Sequence, residues 1–230
     1  MECKYCKEKS IKKGFQTGIQ KYYCKVCNKY FQEKYTYKTC TNEDDEMIVT
    51  LNNEGVGICG IARITGISKA NVINKIKQIA SKIKLTLPNE ERQEYEMDEL
   101  CTFIKNKENT YYIIYAINKV TKAVIDFWVG KRTKANINKV LESIKRLNPK
   151  RIFTDKLNIY AALIEKSIHV TTAHRINHIE RFNLTLRTHL KRLTRRTICF
   201  SKNLVLLESC LQLYFCRKHG KYNAHLQFTR

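Results

Sequence analysis

The chain has 230 residues and 27.1 kDa, and its 43 Lys and Arg against 21 Asp and Glu give a formal net charge of +22. An excess of that size goes beyond what solubility requires and points to a polyanionic partner, most often nucleic acid. A hydrophobic share of 43% excludes a wholly disordered basic tail, and 2 Pro with 8 Gly exclude a Pro- or Gly-rich linker.

The first element is a cysteine motif. Cys3-Lys4-Tyr5-Cys6 and Cys24-Lys25-Val26-Cys27 are separated by 17 residues, within the spacing of a four-thiolate zinc site. The intervening stretch 12–23, with Gly14 and Gly18, predicts a hairpin with a Gly-containing turn. So small a unit has little core of its own, and zinc would supply the missing stability; a redox dithiol is the alternative. The ten lysines within residues 1–40 suit a ribbon that touches phosphate.

Apolar residues then recur at helical spacing from Asp44 to Lys84, after an N-cap signal at Thr41. Ala62, Gly66 and Val72 fit a helix-turn-helix: a small residue for close approach, a glycine for the tight turn, an apolar residue packing beneath it. Ser68 is expected to cap the second helix, which presents Lys69, Asn71, Asn74 and Lys75 outward to a major groove. An ordinary helical hairpin is the alternative. A Pro and charge cluster at 86–91 marks the joint to a strand-rich segment.

Three aromatic and β-branched strands are predicted from Glu94 to Ile104, Tyr111 to Val120 and Ala123 to Val129. A helix over 133–147 and a short strand from Arg151 to Asp155 come next. That order describes a ribonuclease H-like domain, in which one acid sits on the first strand, one at the end of the fourth and one on a later helix. Asp98, Asp155 and Glu180 take those places. Metal-assisted phosphoryl transfer needs such hard oxygen ligands, here for Mg²⁺ or Mn²⁺. Strand alternation predicts that Glu99 points away from Asp98 and that Glu96 shares its face. The stretch 177–193 is amphipathic, with Ile179, Phe182, Leu186, Leu190 and Leu193 on one stripe. Glu180 is the lone acid beside Arg181, Arg187, Lys191, Arg192, Arg195 and Arg196, which together read as a basic helical phosphate track.

Ile179-Glu180-Arg181-Phe182-Asn183-Leu184-Thr185-Leu186-Arg187, continuing through Lys191-Arg192-Leu193 to Ile198-Cys199-Phe200-Ser201-Lys202, resembles the transposases of the bacterial insertion sequence one family. Asp98-Glu99, Tyr115-Ala116, Gly130 to Thr133, Thr154-Asp155 and the 24 residues between Asp155 and Glu180 carry the same resemblance. It implies cut-and-join DNA chemistry at the inverted repeats of a mobile element, with Asp98, Asp155 and Glu180 as the catalytic triad.

The expected fold is multidomain, α+β and α/β: a zinc ribbon at 1–40, a helix-turn-helix domain at 41–87, and a ribonuclease H-like catalytic domain with basic C-terminal helices at 88–230. The expected partners are double-stranded DNA, at element ends and target, and further copies of the chain in a homodimer or larger assembly. No small-molecule substrate is expected. Met1-Glu2-Cys3-Lys4 is no signal peptide and no apolar run approaches the roughly 18–20 residues that span a bilayer, so a cytoplasmic, nucleoid-associated protein without membrane contact is expected. The rival reading is a catalytically inactive, transposase-derived, zinc-containing DNA-binding regulator, against which the three intact carboxylates argue.

Overall fold

The computed structural model describes residues 1–35, 41–83, 91–171 and 176–218, so residues 86–90 of the expected joint lie outside the described residues. The chain forms two compact units, Met1–Cys40 and Thr41–Arg230.

The first unit is a three-stranded antiparallel sheet of β1 (Ile11–Gln16), β2 (Ile19–Cys24) and β3 (Lys29–Gln32). Gln16 pairs with Ile19, which leaves Thr17 and Gly18 as a two-residue turn, both at positive φ (50° and 77°). Positive φ at both central positions makes a tight hairpin turn matched to strand twist. Cys3, Tyr22, Cys24 and Phe31 are its buried hydrophobic cluster.

The second unit opens with three helices, α1 (Asn42–Asn53), α2 (Ile58–Thr65) and α3 (Lys69–Lys82). Thr41 and Asp44 form a capping box at the start of α1. Gly66 ends α2 at φ 72°, a left-handed conformation that glycine adopts without a Cβ clash. Ser68 then caps α3 by accepting the Asn71 amide at 3.3 Å. Val72, Ile76, Ile79 and Ala80 form the buried stripe of α3.

A five-stranded sheet comes next, from β4 (Glu94–Phe103), β5 (Thr110–Asn118), β6 (Val124–Gly130), β7 (Arg151–Thr154) and β8 (His169–Thr171). Its order is β6-β5-β4-β7-β8, antiparallel among β4 to β6 and parallel from β4 through β7 to β8. The three strands, a helix and a fourth, parallel strand appear in the predicted order.

Alternation along the strands feeds two cores. Tyr95, Met97, Ile114 and Ala116 join α4 (Lys134–Lys145) and α5 (Asn158–Leu163) on one face. Leu100, Ile113, Tyr115 and Ile117 join α6 (Asn177–His189) and α7 (Leu204–Lys218) on the other.

The C-terminal part departs from expectation. The basic side chains lie on α6 and the turn after it, whereas α7 is apolar on several sides, with Leu207, Cys210, Leu211, Leu213, Tyr214 and Phe215 all buried. The reason is its position: α7 packs on the sheet through β6 and on α1 and α3. Asn52 of α1 donates to the Cys210 carbonyl at 3.2 Å, and Gln212 donates to the Ile83 carbonyl just past α3 at 3.0 Å. A helix packed in this way buries most of its described side chains, while Val205 remains exposed. The predicted continuous basic helix also breaks: α6 stops at His189, and Lys191–Leu193 is a separate 3-10 turn. Leu190 and Leu193 remain buried, and Thr194 donates its hydroxyl to the carbonyl of Arg187 at 3.1 Å. No helix among the described residues is long and apolar enough to cross a membrane.

Candidate functional site

In the first unit the two Cys-x-x-Cys turns bring four sulfurs together, with ligand atoms all within 4.8 Å of one another. Cys3 Sγ lies 3.6 Å from Cys27 Sγ, and Cys6 Sγ lies 3.4 Å from Cys24 Sγ. A disulfide needs about 2.05 Å. The edge of a tetrahedron with metal–sulfur bonds of about 2.3 Å is close to 3.8 Å. The sulfurs are therefore spaced for a shared ion. Lys7 and Asn28, each directly after the second cysteine of a pair, both take positive φ (64° and 54°), so the two turns are built alike. The four thiols divide their protons unevenly: against its burial, amides of Cys6 and Tyr5 and the neighbouring thiols bring Cys3 down to about 6, whereas burial and the three neighbouring thiols push Cys27 up to about 12.

The second site grows from the β4–β7 ladder. Glu96 pairs with Phe153, and β7 ends at Thr154, so Asp98 and Asp155 stand side by side where β7 leaves the sheet. Asp155 Oδ1 accepts the Leu157 amide at 3.0 Å, in the turn just ahead of α5. Asp98 faces the α6 side, where its Oδ2 accepts Asn183 Nδ2 at 2.7 Å, while its Oδ1 accepts the Glu99 amide at 2.8 Å. Glu99 leaves on the opposite face, as alternation requires, and accepts the hydroxyl of Tyr160 on α5. Its carboxylate nevertheless returns to the strand end: Asp98, Glu99 and Asp155 offer oxygens within 4.8 Å of one another. Alternation fixes the direction of Cα–Cβ only. A glutamate is long enough to curl around the end of the neighbouring strand.

Glu180 is exposed on α6 and lies outside that tight cluster. Its charge still reaches Asp98. Burial first, then the charges of Asp155 and Glu180, raise Asp98 to about 6 against the hydrogen bonds it accepts. Burial likewise lifts Glu99 to about 7, with the charges of Asp98 and Asp155 adding to it. Asn183 lies one turn beyond Glu180, so the helix face that carries Glu180 is the one touching Asp98. Sequence reasoning passed over Asn183 and Tyr160. The i, i+3 spacing from Glu180 was the available signal for Asn183; for Tyr160, on the far side of the sheet, there was none.

The basic residues divide. Arg187 and Arg195 line a groove with Glu180, Asn183 and Thr194. Burial and the nearby Arg195 hold the Arg187 guanidinium below its usual range, so a phosphate there would relieve mutual repulsion. Arg181, Lys191 and Arg196 are exposed. Arg192 leaves the expected track, because its guanidinium turns to the buried thiol of Cys210 in α7. On α3, Lys69, Asn71 and Asn74 are exposed, but Lys75 is not free to reach outward. Its ammonium pairs with Asp45 of α1 at 3.0 Å. Three residues after Val72 and four before Ile79, it flanks the packed stripe rather than the open face.

The family model described as IS1 transposase matches residues 94–221, a span that contains Asp98, Glu99, Asp155 and Glu180. The insertion element iso-IS1n protein InsB of Shigella dysenteriae is 34% identical over 127 residues, covering 55% of this chain and 96% of that protein. The insertion element IS1 4 protein InsB of Escherichia coli (strain K12) is 30% identical over 124 residues, covering 54% of this chain and 74% of its own. The integrase catalytic core domain of HTLV-2, solved in complex with magnesium in a trimeric form, aligns over 58% of this chain and 87% of its own, with a TM-score of 0.36 and 18% identity.

Proposed function

Because the chain belongs to the IS1 transposase family, we propose that it binds the terminal inverted repeats of an insertion element and carries out metal-dependent strand cleavage and strand transfer there. The observation that carries this reading is the convergence of Asp98 and Asp155 at the end of β7, under an α6 face bearing Glu180 and Arg187. The donor set around it is all carboxylate oxygen, which fits a hard divalent cation. Asp98, Asp155 and Glu180 would hold Mg²⁺ or Mn²⁺ in a ribonuclease H-like domain. Such ions supply charge stabilisation for the attacking and leaving oxygens of phosphoryl transfer.

The chain's own residues do the rest. Asn183 fixes the rotamer of Asp98, Tyr160 fixes Glu99, and Arg187 with Arg195 hold the DNA backbone along the groove, joined by exposed Arg181, Lys191 and Arg196. Nicking of a duplex carrying the element's own ends, with and without Mg²⁺, tests the reading. Cleavage confined to the metal-containing reaction supports it.

Residues 1–40 serve as a zinc ribbon, 41–87 as a helix-turn-helix module and 88–230 as the catalytic segment. Ser68, Lys69, Asn71 and Asn74 meet the element ends, with Lys75 supporting α3 through Asp45. Joining two DNA ends requires at least two copies of the chain, working on chromosomal DNA at the nucleoid.

Two results are expected from binding studies. Cys3, Cys6, Cys24 and Cys27 hold one structural Zn²⁺, so metal analysis should return about one zinc per chain, lost in a Cys24→Ser variant. Zinc-free protein with four reactive thiols would contradict that. Replacing Arg187 and Arg195 together by Ala should make the salt dependence of duplex binding shallower, by about 0.9 in slope for each phosphate contact removed. An unchanged slope would mean that neither arginine contacts phosphate.

A further inference from the structure

Glu96 is the most deeply buried carboxylate of β4, at 0% exposure. Among the described residues its Oε2 accepts the amide of Ile179 at 2.8 Å, while Oε1 meets no partner. Burying a carboxylate with a single hydrogen bond is unfavourable in an otherwise apolar core. Its place explains the arrangement. Ile176 stands at the N-cap of α6, where its side chain can accept nothing, so the first turn has no local cap. Glu96 supplies the acceptor from the sheet, at the positive end of the helix. Glu96 precedes Asp98 by two residues on the same strand face, and Ile179 immediately precedes Glu180. The bond therefore ties the strand carrying the first acid to the helix carrying the third.

A second tie lies one turn along. Tyr115 of β5 is fully buried, and its hydroxyl donates to Asn183 Oδ1 at 2.8 Å, with the Ile179 carbonyl 3.3 Å away. Because the Asp98 carboxylate can only accept, Asn183 must turn its amide nitrogen to Asp98 and its oxygen to Tyr115. The donation runs from Tyr115 through Asn183 to Asp98.

We infer that Glu96 and Tyr115 are positioning residues that bolt α6 to the sheet and hold Glu180 in register with Asp98 and Asp155. The assignment rests on the catalytic reading of those three acids. Glu96→Met keeps the length and apolar contacts but offers no acceptor. Glu96→Gln keeps the acceptor without the charge, and Tyr115→Phe keeps the ring without the hydroxyl.

Two readouts on the full-length protein decide it: amide hydrogen exchange across residues 176–186, and Mg²⁺-dependent nicking. In Glu96→Met the Ile179 amide should lose protection at least tenfold, and nicking should fall at least tenfold while binding of end DNA stays within twofold. Glu96→Gln should keep both within about threefold of parent, and Tyr115→Phe should lower nicking without lowering DNA binding. Parental exchange in Glu96→Met, or parental nicking in both Glu96→Met and Tyr115→Phe, overturns the inference. A parent protein that never nicks in Mg²⁺ sinks the catalytic reading, and the exchange result still decides the bolt. Should Glu96→Met fail to fold, Tyr115→Phe decides alone: lowered nicking with retained DNA binding supports the bolt, and parental nicking overturns it.

Discussion

Asp98→Asn and Asp155→Asn are each expected to reduce strand cleavage to below about one-thousandth of the parental rate, with binding of the element ends retained or tightened. The amide keeps the shape and removes the charge. In Asp98→Asn one of the two hydrogen bonds that the carboxylate accepts, from the Glu99 amide or from Asn183, is lost, so urea unfolding of the variant separates loss of the carboxylate charge from loss of packing. Tighter binding is expected because uncompensated carboxylates repel phosphate. The same electrostatics sets a pH dependence. Asp98 is raised to about 6 and Glu99 to about 7, foremost by burial. Both lie above the unfolded values, so the metal-free native state holds extra protons between roughly pH 4 and pH 7 and loses stability as pH rises through that window. Divalent cations compete with those protons. Mn²⁺ affinity, followed by titration, should therefore weaken steeply as pH is lowered from about 8 to about 5. A flat profile would place the metal away from these two acids.

The second large effect concerns stability. Phe215 is fully buried in α7 and meets Tyr115, Phe127, Phe182 and Tyr214 at ring-centroid distances of 6.0, 5.0, 6.1 and 6.1 Å. Phe215→Ala should destabilise the protein by about 3–5 kcal/mol, from lost transfer free energy plus the cavity left among four rings. Urea unfolding measures it. Val205→Ala, at a position 53% exposed on the same helix, should change stability by no more than about 0.5 kcal/mol. Equal effects at the two positions would mean that α7 is not the packed centre of the second unit.

The readable parts of the sequence were those in which a local pattern has one structural solution. The paired cysteines, the turn at Gly66 with its Ser68 cap and the alternating strands of the sheet are of that kind. The departures are equally specific. Leu190 and Leu193 are three residues apart, a spacing that suits a buried pair in an α-helix and in a 3-10 turn alike, so periodicity gave no sign of the break after His189. The pairing of Lys75 with Asp45 depends on how α1 crosses α3, which no window along the chain contains. The path of Glu99 back to Asp155 is set by where β7 ends, a strand distant from Glu99 in sequence. β3 holds four residues, too few for alternation to register.

Whether α6 delivers the third carboxylate to the strand-borne pair is tested most directly by comparing Glu180→Gln with Glu99→Gln. Glu180 is the acid that stands outside the tight cluster, and Glu99 is the one inside it. Single-turnover nicking of a labelled terminal repeat in Mg²⁺ should be abolished by Glu180→Gln and only partly reduced by Glu99→Gln. Full cleavage by Glu180→Gln alongside complete loss in Glu99→Gln would contradict that delivery and move the third ligand from the helix to the strand.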